Sequence, residues 1–73
     1  MIINEAAAKE RARDFLTQVM NLSELRIKGY FVSYVQESDL FGEPSYSIHV
    51  DLIDGTERFL GVCIRTGKVV IIY

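Results

Sequence analysis

Apolar side chains recur at steps of three and four early in the chain, at Ala8, Ala12, Phe15, Leu16 and Val19, while Lys9, Glu10, Arg13 and Asp14 fall mostly on the other side. The pattern predicts an amphipathic helix over residues 4 to 21. Asn4 is suited to cap its start, Glu5 lies in the first turn where a negative charge favours the helix dipole, and Asn21 tolerates the left-handed conformation at the exit. Glu5 with Lys9, and Glu10 with Arg13, are spaced to pair on the exposed side. After Lys28-Gly29 the period falls to two, and residues 30 to 36, 45 to 53, 57 to 64 and 68 to 73 predict four strands. The cleanest alternation sets Tyr46, Ile48, Val50 and Leu52 against Ser47, His49 and Asp51. Asp54-Gly55 and Thr66-Gly67 are hairpin signals, and the stretch QESDLFGEP between the first two strands is a long loop or a wide, irregular hairpin. The expected fold is α+β: one N-terminal helix packed on a four-stranded antiparallel meander, with residues 1 to 73 as a single domain.

Turn length decides which side chains share a face. With Asp54-Gly55 as a two-residue loop, Ile53 faces Thr56, Asp51 faces Arg58 and Val50 faces Phe59. Tyr46, Ile48, Val50, Leu52, Phe59, Gly61 and Cys63 then lie beneath the helix, with Gly61 marking a close approach of helix and sheet. Asp51 and Arg58 form a cross-strand ion pair worth at most about 1 kcal/mol. The other side begins with Ser47, His49, Asp51 and Arg58 and continues with Leu60, Val62 and Ile64. It then takes Val69, Ile71 and Tyr73, or Val70 and Ile72, depending on the length of the Thr66-Gly67 loop.

One helix covers one side of a sheet, so this apolar corner must meet something else. The chain itself offers Leu22 to Ile27 or Met1-Ile2-Ile3 as a cover. The alternatives are a second copy, through the face or through the edge of the terminal strand, and a different protein. Leu40 and Phe41, in the acidic loop, read either as a recognition pair or as a plug in which Phe41 closes the core from below. Protein contact is expected at Leu60, Val62, Ile64, Val69, Ile71, Tyr73, Leu40 and Phe41.

Composition narrows the chemistry. At 73 residues the chain is near the size at which a core needs support from disulfides, a metal or a partner. Cys63 is the single cysteine and fits a buried small side chain better than a reactive thiol, and His49 is the single histidine, so a structural metal, which as zinc wants three or four N/S/O ligands at defined spacing, is not expected. Eight basic and ten acidic residues are spread along the chain for a net charge of −2, which argues against nucleic-acid binding. No apolar run has the length of a signal peptide core or a membrane span. A cytoplasmic setting is expected, or an extracytoplasmic one if a leader or anchor was removed. His49 and Asp51 point the same way on one strand, the minimum for an imidazole oriented by a carboxylate. Ser47 stands roughly 7 Å along that strand, beyond hydrogen-bond reach, so a solvated strand face is the expected reading and no catalytic residue, cofactor or metal is assigned.

A helix with spaced alanines followed by YSIHVDLIDGTERFLGVCIRTGKVVII resembles the PepSY domain, in which a Tyr-containing strand, an Asp-Gly turn, another strand and a terminal Thr-Gly-x-Val hairpin follow one another. The likeness covers residues 5 to 72. The family usually carries an acidic residue after a valine just before the last turn, and Cys63-Ile64-Arg65 departs from that. PepSY domains are mostly extracytoplasmic, in protease propeptides or membrane-anchored regulators. The resemblance implies a non-catalytic binding or inhibitory module with no site residues to carry over. The expected function is therefore that of a small non-enzymatic protein-binding module, acting as a homodimer or as an inhibitor or regulator of a larger protein. A phage- or plasmid-type inhibitor or immunity protein is the alternative, and a small hydrolase using His49 ranks third.

Overall fold

Residues 2–73 are described by a computed structural model. Asn4 caps the helix as its side chain predicts, with Oδ1 accepting from the Ala7 N–H at 2.8 Å. Helix α1 runs Glu5–Asp14 and continues as a π-wound turn over Phe15–Val19. Thr17 contributes to that widening, since its hydroxyl donates to the Arg13 carbonyl at 2.9 Å and competes with the backbone ladder. Asn21 then takes a left-handed φ of 59° and ends the helix. The wider turn changes the phase of the apolar stripe. Ala8, Ala12 and Leu16 are fully buried, whereas Val19 is 67% exposed and leaves the core it was expected to join. Glu10 pairs with Arg13 at 3.4 Å as expected, but Lys9 sits 5.9 Å from the centre of the Tyr30 ring instead of on Glu5.

A short 3₁₀ turn at Glu24–Arg26 leads into β1, Ile27–Val35, which begins three residues earlier than the sequence pattern places it. Strands β2 (Ser45–Leu52), β3 (Glu57–Cys63) and β4 (Val69–Ile71) follow, giving a four-stranded antiparallel sheet in the order β1-β2-β3-β4. The fold is α+β, with one N-terminal helix on a meander sheet.

The register differs from the expected one by a single residue. The β2–β3 loop is Ile53-Asp54-Gly55, three residues long: the Gly55 N–H donates to the Leu52 carbonyl, the Leu52 N–H donates to the Thr56 carbonyl, and Gly55 adopts φ 86°. As a result Asp51 faces Glu57, Val50 faces Arg58 and His49 faces Phe59, so the Asp51–Arg58 ion pair does not form. A one-residue slip exchanges the two sides of a strand. Leu60 and Val62 thus join Ile48, Val50 and Leu52 under the helix, all buried against Ala8, Ala12 and Leu16. Phe59, Gly61 and Cys63 turn to the opposite side.

The β3–β4 loop is longer again, spanning residues 64 to 67, closed by the Cys63 N–H on the Lys68 carbonyl and by Gly67 at φ 75°. Its even length leaves Val69 and Ile71 on the side of Leu60 and Val62, packed at the margin of the core. A bulge sends Tyr73 the other way, because both Ile72 and Tyr73 hydrogen-bond to Phe59.

The helix phase yields a prediction. Leu16→Ala costs about 2–5 kcal/mol by opening a cavity in the core, whereas Val19→Ala stays within about 0.5 kcal/mol. Urea unfolding of the two variants measures the difference, and comparable losses would mean that the helix remains α-wound through Val19.

Candidate functional site: the open face of the sheet

With the helix on one side, the other side of the sheet is where this fold presents chemistry. Four rings stand in a row across it, one from each strand region: Phe31 on β1, His49 on β2, Phe59 on β3 and Tyr73 beyond β4. Phe31 and His49 are Cα partners, as are His49 and Phe59. The His49 and Phe59 rings stack with centroids 4.5 Å apart and planes 3° from parallel. Phe31 lies 5.6 Å from His49, and Tyr73 lies 4.8 Å from Phe59. Rings stacked along the inter-strand direction support the sheet as cross-strand pairs, each worth up to about 1 kcal/mol, and present their edges outward. The ends of the row are the most open, with Phe31 57% and Tyr73 62% exposed.

One step toward the β2–β3 turn, the row is bordered by carboxylates. Asp51 and Glu57 face each other directly across β2 and β3. His49 Nε2 reaches Asp51 Oδ1 at 3.0 Å and also contacts Glu57 Oε2. The Leu52–Thr56 hydrogen bond makes Asp51–Glu57 and His49–Phe59 the non-hydrogen-bonded pairs, the kind whose side chains lie closest.

At the other end the row meets the β1–β2 loop. Leu40 and Phe41 fold onto the open side against Gly61, where an added Cβ would stand 2.8 Å from Leu40 Cδ1 and 3.3 Å from Phe41 Cε2. Gly61 therefore admits this loop rather than the helix, and Phe41 does tuck under the sheet, half-buried against Gly61, but outside the core cluster. Cys63 is buried here as well, not under the helix: its thiol donates to Glu43 Oε1 at 3.3 Å. Arg65 grips the same carboxylate through Nε at 2.8 Å and Nη2 at 3.0 Å. That pairing holds the Glu43 carboxyl below its ordinary pKa and raises that of Arg65.

The expected contact residues therefore divide. Leu60 and Val62 are withdrawn from any contact surface, and Val69 and Ile71 are half-buried beside them. Ile64 is half-buried, its carbonyl accepting from the Ile3 N–H at 3.0 Å and its own N–H donating to the Pro44 carbonyl. The N-terminal segment thus does come back to this end of β3, although Met1 lies outside the described residues. Leu22 joins the core margin, while Leu25 projects into solvent. Tyr73, Leu40 and Phe41 remain on the open side, where Phe31 and Phe59 join them. Phe31 is indistinguishable from its neighbours until β1 is paired with β2, and Phe59 reaches the open side only through the three-residue turn.

Two shallow concavities lie elsewhere on the described surface. One of about 370 Å³ is lined by Ala6, Lys9, Glu10, Arg13 and Tyr30, and one of about 410 Å³ by Ile2, Glu43, Pro44, Ile64 and Arg65. The Tyr30 hydroxyl beside the first is buried with no hydrogen-bond partner among the described residues, and desolvation raises its pKa. No helix among the described residues is long and apolar enough to cross a membrane. Comparison with protein-family models, curated proteins and solved structures found no match.

Asp54 holds the turn that sets this arrangement. Its Oδ1 accepts from the Thr56 hydroxyl and N–H, and its Oδ2 from Arg26 Nη2 at 2.7 Å. Thr56, and then Arg26, lower its pKa from 3.8 to about 2. A depressed carboxyl pKa adds stability that is present above the unfolded value and disappears as pH falls through the folded one. Asp54→Ala is therefore expected to lower the melting temperature at neutral pH, with the gap to the parent chain narrowing between pH 3.8 and about 2. Melting curves at neutral and acid pH check this, and a gap independent of pH would contradict it.

Proposed function

We propose that this chain is a non-enzymatic protein-binding module that works through the open face of its sheet, by pairing with a second copy. The observation that supports this reading is the aromatic row Phe31–His49–Phe59–Tyr73, which no element among the described residues covers and which is exposed most at its two ends. Together with Leu40, exposed at the edge of the same face, these side chains leave an apolar patch on the order of 400 Å². A twofold pairing of that patch would bury less than the roughly 1,200–2,000 Å² of a stable complex, which favours a weak, reversible contact. The outer edge of β1, nine residues long and paired only with β2, offers further backbone donors and acceptors beside it.

The surroundings of the single histidine favour a binding role over catalysis. His49 is flanked by two aromatic rings and two carboxylates, and no nucleophile shares its hydrogen bonds. The resemblance to PepSY domains supports the same class of function. Inhibition or regulation of a larger protein through this face is the second reading, favoured by a patch small enough for transient contact.

Sedimentation velocity from micromolar to near-millimolar concentration tests the proposal. The sedimentation coefficient is expected to rise with concentration, and Phe31→Ser or Tyr73→Ser to abolish the rise without unfolding the chain. A chain that stays monomeric throughout, with outer-face amide shifts independent of concentration, would overturn self-pairing.

A further inference from the structure

We propose that His49, Asp51 and Glu57 form a binding site for a divalent first-row transition-metal cation, zinc foremost. Their donor atoms all lie within 4.8 Å of one another on two adjacent strands. Asp51 and Glu57 are directly opposed carboxylates, a like-charge cross-strand pair that weakens a sheet unless a cation sits between them. Among the described residues no lysine or arginine forms an ion pair with either, and the bridging group is the His49 imidazole. A neutral imidazole nitrogen has one proton or one lone pair to offer, yet Nε2 faces two carboxylate oxygens. A divalent cation would accept from all three groups at once and cancel both charges.

The imidazole separates this cluster from a chance patch of surface acids. Its ring is stacked against Phe59 on one side and neighboured by Phe31 on the other, so its plane is held while Nε2 points to the carboxylates. Donors held on paired strands need little reorganisation on binding. Three donors around one zinc ion at about 2.1 Å stand roughly 3.4 Å apart, a spacing reached here by small carboxylate rotations. An imidazole with two carboxylates suits zinc and its first-row neighbours, whereas calcium and magnesium favour all-oxygen sets. A closed site of four cysteine and histidine ligands is beyond this composition, but an open three-ligand site requires only the one histidine. The fourth position would face solvent.

Titration calorimetry of the full chain with zinc chloride in a non-chelating buffer, together with ¹⁵N NMR of the His49 ring, tests the assignment. One saturable equivalent is expected, with the Nε2 resonance shifting on zinc but not on magnesium. His49→Ala, Asp51→Asn and Glu57→Gln are each expected to weaken binding about tenfold or more while retaining the parent circular dichroism. Absence of saturable binding, an unmoved Nε2 resonance, or equal affinity in His49→Ala would overturn the site. If a variant fails to fold, the parent ring resonance decides. The result does not depend on self-pairing, because the ring resonance reads the site at concentrations where the chain is dilute.

Discussion

The hydrogen bond from the Leu52 N–H to the Thr56 carbonyl closes a three-residue turn, and the rest of the molecule follows from that length. Had the turn been one residue shorter, Phe59, Gly61 and Cys63 would lie under the helix, and Leu60 and Val62 would face outward. Gly55 permits the longer turn because φ 86° is open to glycine at little cost, and Asp54 secures it through Thr56 and Arg26. With the register set, the aliphatic residues of β2 and β3 share the core with Ala8, Ala12 and Leu16, and small helix residues let the helix approach closely. Rings and carboxylates are left to the other side.

That division gives the sheet two unlike faces. The inner one is aliphatic and closes against the helix. The outer one pairs rings across all four strand positions, flanks them with Asp51 and Glu57, and ends where Leu40 and Phe41 fold onto Gly61. The row stabilises the sheet by stacking and also leaves Phe31 and Tyr73 largely in water, so structural support and exposed apolar surface reside in the same side chains. Because the rings show edges outward, a matching surface would slot between or beside them rather than lie flat upon them.

Much of this was readable from residue order. The helix start at Asn4, the buried alanines, the strand alternation and the α+β class follow from periodicity and capping. The π-wound turn was not readable, because it depends on Thr17 bonding backward, a choice that side-chain identity permits but does not require. The register was readable in principle: Leu60 and Val62 match Ile48 and Val50 in character, and only a three-residue turn puts them together. Taking Asp54-Gly55 as a two-residue loop outweighed that match and carried Leu60 and Val62 to the wrong side. The aromatic row is not legible in residue order for the same reason, since Phe31, His49, Phe59 and Tyr73 are far apart in sequence and meet only in the observed register. The expected apolar corner is not left in water, since Leu60 and Val62 are buried and Ile64, Val69 and Ile71 half-buried, with only Tyr73 of that group on the open side, and the cluster of His49 with two carboxylates emerges only once Glu57, rather than Arg58, faces Asp51.

The most direct measurement of the account is a nuclear Overhauser spectrum of the backbone Hα protons. Close Hα–Hα contacts between Asp51 and Glu57 and between His49 and Phe59, two of the non-hydrogen-bonded pairs, are the predicted result. Close Hα–Hα contacts of Leu52 with Glu57, or of Val50 with Phe59, would place Phe59 under the helix, break the row of rings and contradict the open aromatic face.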